Sequence, residues 1–191
     1  KIQEALENYG VDIHFITGGT LTNLTFLSHA LRPYEAVISA DTGHINTHET
    51  GAIEASGHKV LSIPCTDGKL TADLIRPVLK QHENEHWVEP RLVYISLPTE
   101  LGTVYTKEEL EKLYQFCKRH NLYLYIDGAR LAMALAVEET QLTLKDLPDL
   151  CDAFYIGGTK NGAMFGEALI LVNDDLKDHF RFNMKQRGAI L

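Results

Sequence analysis

The sequence holds little that would fix a fold covalently or tie it to a membrane. Its three cysteines, Cys65, Cys117 and Cys151, lie far apart and form no Cys-x-x-Cys or Cys/His cluster, so neither a disulfide framework nor a structural zinc site is suggested, and a reducing compartment fits best. The nine histidines are scattered. His44 and His48 stand four apart but have no third ligand near them in sequence, so no metal is expected. No apolar run approaches the roughly 20 residues that span a bilayer, and the opening KIQEALENYG lacks the charged-then-apolar pattern of an export leader. A soluble, cytoplasmic protein with no membrane partner is expected. Basic runs are missing too, and the formal net charge is −8, which leaves no broad positive face for a polyphosphate backbone. Nucleic acid is therefore not an expected partner. Neither GxGxxG nor GxxxxGK[ST] occurs, so dinucleotide and P-loop chemistry have no support.

What is present is the rhythm of an α/β domain. With 45% hydrophobic and 23% charged residues in 191 positions, the chain can bury one sizeable core. Short apolar runs rich in β-branched and aromatic residues recur: VDIHFI at 11–16, AVIS at 36–39, KVLSI at 59–63, RLVYIS at 91–96, LYLYID at 122–127, AFYIG at 153–157 and ALILV at 168–172. Between them lie segments of helical period. The clearest is 106–120, where Thr106 and Glu109 make a capping-box pattern and Leu110, Leu113, Phe116 and Cys117 form one apolar stripe. A second helix is predicted from near Thr71 and a third from about Leu21 to Ala30. The segment 145–152, KDLPDLCD, reads as a solvated acidic connection, with Pro148 disfavouring helix at Leu147. The expected architecture is α/β: a three-layer αβα domain around a mostly parallel sheet.

Ligands of such sheets gather at the carboxyl ends of the strands, so the residues after each run carry the chemistry. After 11–16 comes TGGTLTN, where Gly18 and Gly19 permit a tight turn and Gly19 and Thr20 lead into a helix whose free N–H groups suit a phosphate. Taken alone, it reads first as a plain glycine turn. After 122–126 comes Asp127-Gly128-Ala129-Arg130; a carboxylate closing an apolar strand calls for a cationic partner. A protonated pyridine nitrogen would serve, and so would an ion pair with Arg130 or a helix N-cap. After 153–157 comes Gly158-Thr159-Lys160-Asn161-Gly162, a lysine among glycines placed to reach into a cleft as a Schiff-base nucleophile, or simply an exposed turn lysine.

Together, phosphate turn, aspartate and lysine, in that order and with Asp127 and Lys160 33 positions apart, resemble the fold-type-I pyridoxal 5′-phosphate (PLP) enzymes. The segment GHINTHETGAIEASGHKV, with His44 and Glu49, is similar to the His-x4-Glu-x-Gly stretch of threonine aldolases and related β-eliminating lyases, and DGAR at 127–130 matches them as well. The resemblance runs from about Val11 to the end. It implies the PLP-binding large domain of an aspartate-aminotransferase-like fold over 1–191. Lys160 would be the Schiff-base lysine, Asp127 the partner of the pyridine nitrogen, and His44 the residue stacked on the ring and a candidate base. Gly19, Thr20 and Thr159 would bind phosphate. Arg130 would hold the substrate carboxylate or a neighbouring cofactor oxygen, and Glu100, in the Pro-Thr-Glu-Leu-Gly-Thr run where several threonine aldolases carry a histidine, would be a second substrate-contacting group and a weaker candidate base.

The implied reaction is cleavage of L-threonine or L-allo-threonine, or other β-hydroxy-α-amino acids, to glycine and an aldehyde. The alternatives are β-elimination or transamination of another amino acid, or a degenerate protein of this fold without activity. Retention of both Asp127 and Lys160 argues against the last. A homodimer or homotetramer is implied, with Lys185 and Arg187 either reaching a partner's phosphate or standing as exposed helix cations. The family's small C-terminal domain has no counterpart after KQRGAIL, and a family helix is missing at the junction ENYG–VDIHF; the expectation is that further residues of the protein lie outside those given.

Overall fold

A computed structural model describes residues 1–191. All seven apolar runs are strands of one sheet: β1 (Asp12–Ile16), β2 (Glu35–Ala40), β3 (Val60–Ile63), β4 (Glu89–Ser96), β5 (Tyr123–Asp127), β6 (Ala153–Gly157) and β7 (Glu167–Leu171). Their order across the sheet is β1-β7-β6-β5-β4-β2-β3. Pairing is parallel from β3 to β6, and only β7 runs against its neighbours β6 and β1. Strands covered on both faces bury every residue, which is why β2 and β7 are buried at each position and read as continuous apolar runs rather than alternating ones.

The helices are α1 (Ile2–Leu6), α2 (Gly19–Ala30), α3 (His44–Thr47), α4 (Ala52–Ala55), α5 (Ala72–Gln81), α6 (Lys107–Arg119), α7 (Leu131–Leu135) and α8 (Phe180–Gln186). On one face of the sheet Ile75 of α5, Leu110 and Phe116 of α6 and Leu131 of α7 pack with Ile38, Val93, Leu124 and Phe154. On the other, Phe26 and Leu27 of α2 and Phe180 and Met184 of α8 pack with Val37, Tyr94, Tyr125 and Leu169. This is the expected three-layer αβα arrangement. No helix is long and apolar enough to cross a membrane.

Local signals decide the helix ends. The capping box is formed: Glu109 N–H donates to Thr106 Oγ1 at 3.2 Å and Thr106 N–H to Glu109 Oε2 at 2.8 Å. Helix α5 starts after Thr71, as predicted. Helix α2 begins two residues earlier than the sequence suggests, at Gly19, because Gly18 takes the extended N-cap conformation (φ −170°, ψ 161°) and needs no side-chain cap.

The acidic connection is corrected by the structure. Leu144–Asp149 forms a 3-10 helix that contains Pro148, and Leu147, Pro148, Leu150, Cys151 and Asp152 are buried rather than solvated. Asp152 accepts from Lys118 Nζ at 3.0 Å, Leu124 N–H at 2.8 Å and Asn173 Nδ2 at 2.8 Å. Composition suggested solvent because these partners come from three distant segments, which only folding assembles.

Candidate active site

Because β1, β2, β4, β5 and β6 all point the same way, their carboxyl ends share one edge of the sheet, and the antiparallel β7 begins at that edge. A cleft of about 300 Å³ opens there. Gly19 and Thr20 from α2, His44 from α3, Glu100 beyond β4, Asp127 and Arg130 at the end of β5, and Thr159 and Lys160 beyond β6 all line it. The structure thus brings together every site residue assigned from the sequence. Lys185 and Arg187 do not line the cleft; they lie at the end of α8.

Asp127 is 3% exposed, and its carboxylate is fixed from three sides. Tyr94 Oη donates to Oδ2 at 2.6 Å, Asn23 Nδ2 donates to Oδ2 at 3.0 Å and Ala129 N–H donates to Oδ1 at 3.0 Å. These partners, not Arg130, hold it. Burial, and next the charge of Asp127, push the Tyr94 hydroxyl well above the ordinary tyrosine range, so it remains a donor. Burial raises Tyr155, also in the cleft wall, in the same direction.

The strand ends approach closely because glycine stands at the contact points. A Cβ on Gly128 would strike the Tyr155 carbonyl oxygen, and one on Gly157 the Ala129 carbonyl oxygen. The turn bearing Lys160 is braced: Asn161 Nδ2 donates to the Gly157 carbonyl at 2.7 Å, and Gly158 N–H donates to Glu167 Oε2 at 2.8 Å. Burial raises the Glu167 carboxyl above its usual range, against the Gly158 hydrogen bond that lowers it.

His44 opens α3 with its backbone N–H donating to Glu100 Oε1 at 2.9 Å, and Ser96 Oγ donates to the same oxygen. Its Nδ1 lies 2.7 Å from Glu49 Oε1, a side chain with no exposed surface. The hydrogen bond to Glu49 holds the imidazole pKa above its usual value, against partial burial. An ionised carboxylate only accepts, so Nδ1 carries a proton in either charge state and the ring titrates at Nε2.

Sequence reasoning missed Asn23, Tyr94, Ser96, Tyr125, Tyr155 and Glu167. A signal existed for three of them. Tyr94 and Ser96 share one face of β4 by alternation, and they pair in register with Tyr125 and Asp127 of β5, so polar groups two residues apart near a strand end marked the cleft side.

This sheet order, with its cleft at the carboxyl ends of the strands, is that of the fold-type-I class. The aspartate aminotransferase of Thermus thermophilus shares the fold, with a TM-score of 0.70 at 16% identity over 93% of this chain and 46% of that one. The Beta-eliminating lyase family profile matches residues 3–191, and the chain belongs to that family. It is 58% identical to the threonine aldolase of Leishmania major, with a TM-score of 0.98, covering 100% of this chain and 56% of that one. It is 36% identical over 185 residues to the low specificity L-threonine aldolase of Pseudomonas aeruginosa, covering 94% of this chain and 52% of that protein. The chain thus spans about half the length of these relatives.

Family and fold imply PLP as the cofactor, and the cleft fits it. Asp127 offers a buried, triply braced carboxylate, the kind of partner a cationic ring nitrogen would need. A glycine turn opens the 12-residue α2, and a Cβ on Gly18 would meet nothing within 4 Å, so the turn is open toward the cleft side. Lys160 lines the same cleft.

Proposed function

We propose that residues 1–191 are the cofactor-binding large domain of a PLP-dependent aldolase that cleaves L-threonine or L-allo-threonine to glycine and an aldehyde. The observation that carries this reading is the meeting of Lys160, Asp127, His44 and Arg130 in one cleft, in a chain akin to threonine aldolases.

Lys160 would hold the cofactor covalently, Asp127 would pair with its ring nitrogen, and His44 would lie against its ring. The N–H groups of Gly19 and Thr20, with Thr159, would bind its phosphate. Bound PLP supplies an electron sink for the pair left at Cα when Cα–Cβ breaks. Arg130, exposed at the cleft edge, orients the substrate carboxylate through its planar fork. His44, with Nδ1–H committed to Glu49, takes the β-hydroxyl proton at Nε2. Glu100 is the poorer base, since its Oε1 already accepts from His44 N–H and Ser96 Oγ.

Exposed Leu101, Met133, Met164 and Phe165 sit on or beside the loops that form the cleft, which supports a homodimer or a homotetramer built against this face. A cytoplasmic location fits the three unpaired cysteines.

The test is glycine release from L-threonine, L-allo-threonine and phenylserine by the purified protein, with Lys160→Ala alongside. Parent protein yields glycine and shows the visible band of bound cofactor, while Lys160→Ala loses both and keeps its circular dichroism. Release of a keto acid with no glycine would instead favour β-elimination or transamination.

A further inference from the structure

A chain of polar side chains joins His44 to Asp127, and its middle member, Asn23, does not line the cleft. Asn23 lies on α2 with no exposed surface. Its Nδ2 donates to Glu49 Oε1 at 2.7 Å and to Asp127 Oδ2 at 3.0 Å, and its Oδ1 accepts from Tyr125 Oη at 3.0 Å. That orientation is forced. The two carboxylate oxygens accept and the Tyr125 hydroxyl donates, so the amide nitrogen faces the carboxylates and the amide oxygen faces the hydroxyl. Beyond Glu49 the chain continues to His44 Nδ1, and beyond Asp127 to Tyr94 Oη.

We propose that Asn23 is a positioning residue that ties Asp127 to His44 by sharing one amide nitrogen between Asp127 and Glu49, so that the hydrogen bonding of one end is felt at the other. The tie is a property of this chain. Its value to the cofactor, with Asp127 at the ring nitrogen and His44 at the ring face, rests on the function proposed above.

The physical consequence concerns Glu49 Oε1. This one oxygen accepts from both Asn23 and His44, while Oε2 is buried with no partner. Each donor weakens the demand on the other. Removing the Asn23 amide leaves Glu49 Oε1 to His44 alone and leaves Asp127 with Tyr94 and the Ala129 N–H. His44 then holds its proton to higher pH. Of the other groups facing His44, Lys160 acts through space, His48 is stacked at 5.4 Å and Glu100 is bonded to its backbone, and none of these loses a partner; Asp127, which also acts through space, keeps two of its three donors.

The experiment follows the His44 Cε1–H resonance by NMR against pH, assigned by its loss in His44→Gln, without cofactor and with saturating PLP. In Asn23→Leu the midpoint is expected to rise by about 0.5–1 pH unit, the scale of one ordinary net hydrogen bond. Tyr125→Phe, which unanchors the amide, moves it the same way by less. In a Glu49→Gln background the Asn23→Leu shift disappears, because the path is cut. With PLP bound, the pH dependence of the visible band follows the same order. A midpoint within about 0.2 of the parent in folded Asn23→Leu overturns the proposal, as does a shift that survives Glu49→Gln. Should Asn23→Leu not fold, an unmoved midpoint in Tyr125→Phe overturns it instead. Failure of the parent to take up PLP counts against the function proposed above, while the cofactor-free titrations still decide the tie.

Discussion

Replacing Glu49 by Gln tests the electrostatics of the site without removing atoms from it. The side chain is fully buried, accepts from His44 Nδ1 and Asn23 Nδ2, both at 2.7 Å, and keeps its shape as an amide. What changes is charge. The His44 pKa is raised in the folded chain, so the pair's contribution to stability is complete below the unfolded value near 6.5 and fades as pH rises through the folded value. A hydrogen bond between charged partners contributes about 1.5–3 kcal/mol and a neutral one about 0.5–1.5 kcal/mol. The half-buried ring moves the difference toward about 1 kcal/mol through solvent screening. Urea unfolding followed by far-UV circular dichroism should therefore show Glu49→Gln destabilised more at about pH 5.5 than at about pH 8.5, by about 1 kcal/mol. Equal losses at the two pH values, or a larger loss at the higher one, would refute the assignment of a charged His44–Glu49 pair.

Asp127→Ala should weaken retention of PLP at least tenfold, measured by dialysis and visible absorbance, while Asp127→Asn, which keeps a side chain for Tyr94 to bond, loses less of the fold. Gly128→Ala puts a methyl group onto the Tyr155 carbonyl and should cost about 1–3 kcal/mol in urea unfolding; an unchanged midpoint would mean the β5 and β6 ends are not so close. Asp152→Ala strands the buried Leu124 N–H and frees Lys118 and Asn173, with an expected loss of about 2–4 kcal/mol by the same assay.

Much of this molecule was legible as a string. Seven apolar runs gave seven strands, and the Thr106/Glu109 box and Thr71 marked real helix starts, because alternation, capping and glycine conformations are local properties. The cleft residues were legible for a related reason. In a parallel sheet the loops after the strands must share an edge, so Gly19, Thr20, His44, Glu100, Asp127, Arg130, Thr159 and Lys160 could be grouped before any coordinate was known. Asp152 was not legible, since its charge predicts solvent until Lys118, Leu124 and Asn173 are placed around it.

The sequence by itself thus determined the class of fold, the edge of the sheet where the cleft opens and the polar residues that stand there. Tertiary structure decided how those residues are held. It supplied Tyr94 and Asn23 for Asp127, Glu49 for His44, and Glu167 for the Lys160 turn, across separations of 33, 104, 5 and 9 positions respectively. Hydrogen-bond partners brought together by strand order and helix packing carry no local pattern, so only the folded chain could show which tautomer of His44, and which oxygen of Asp127, the site presents.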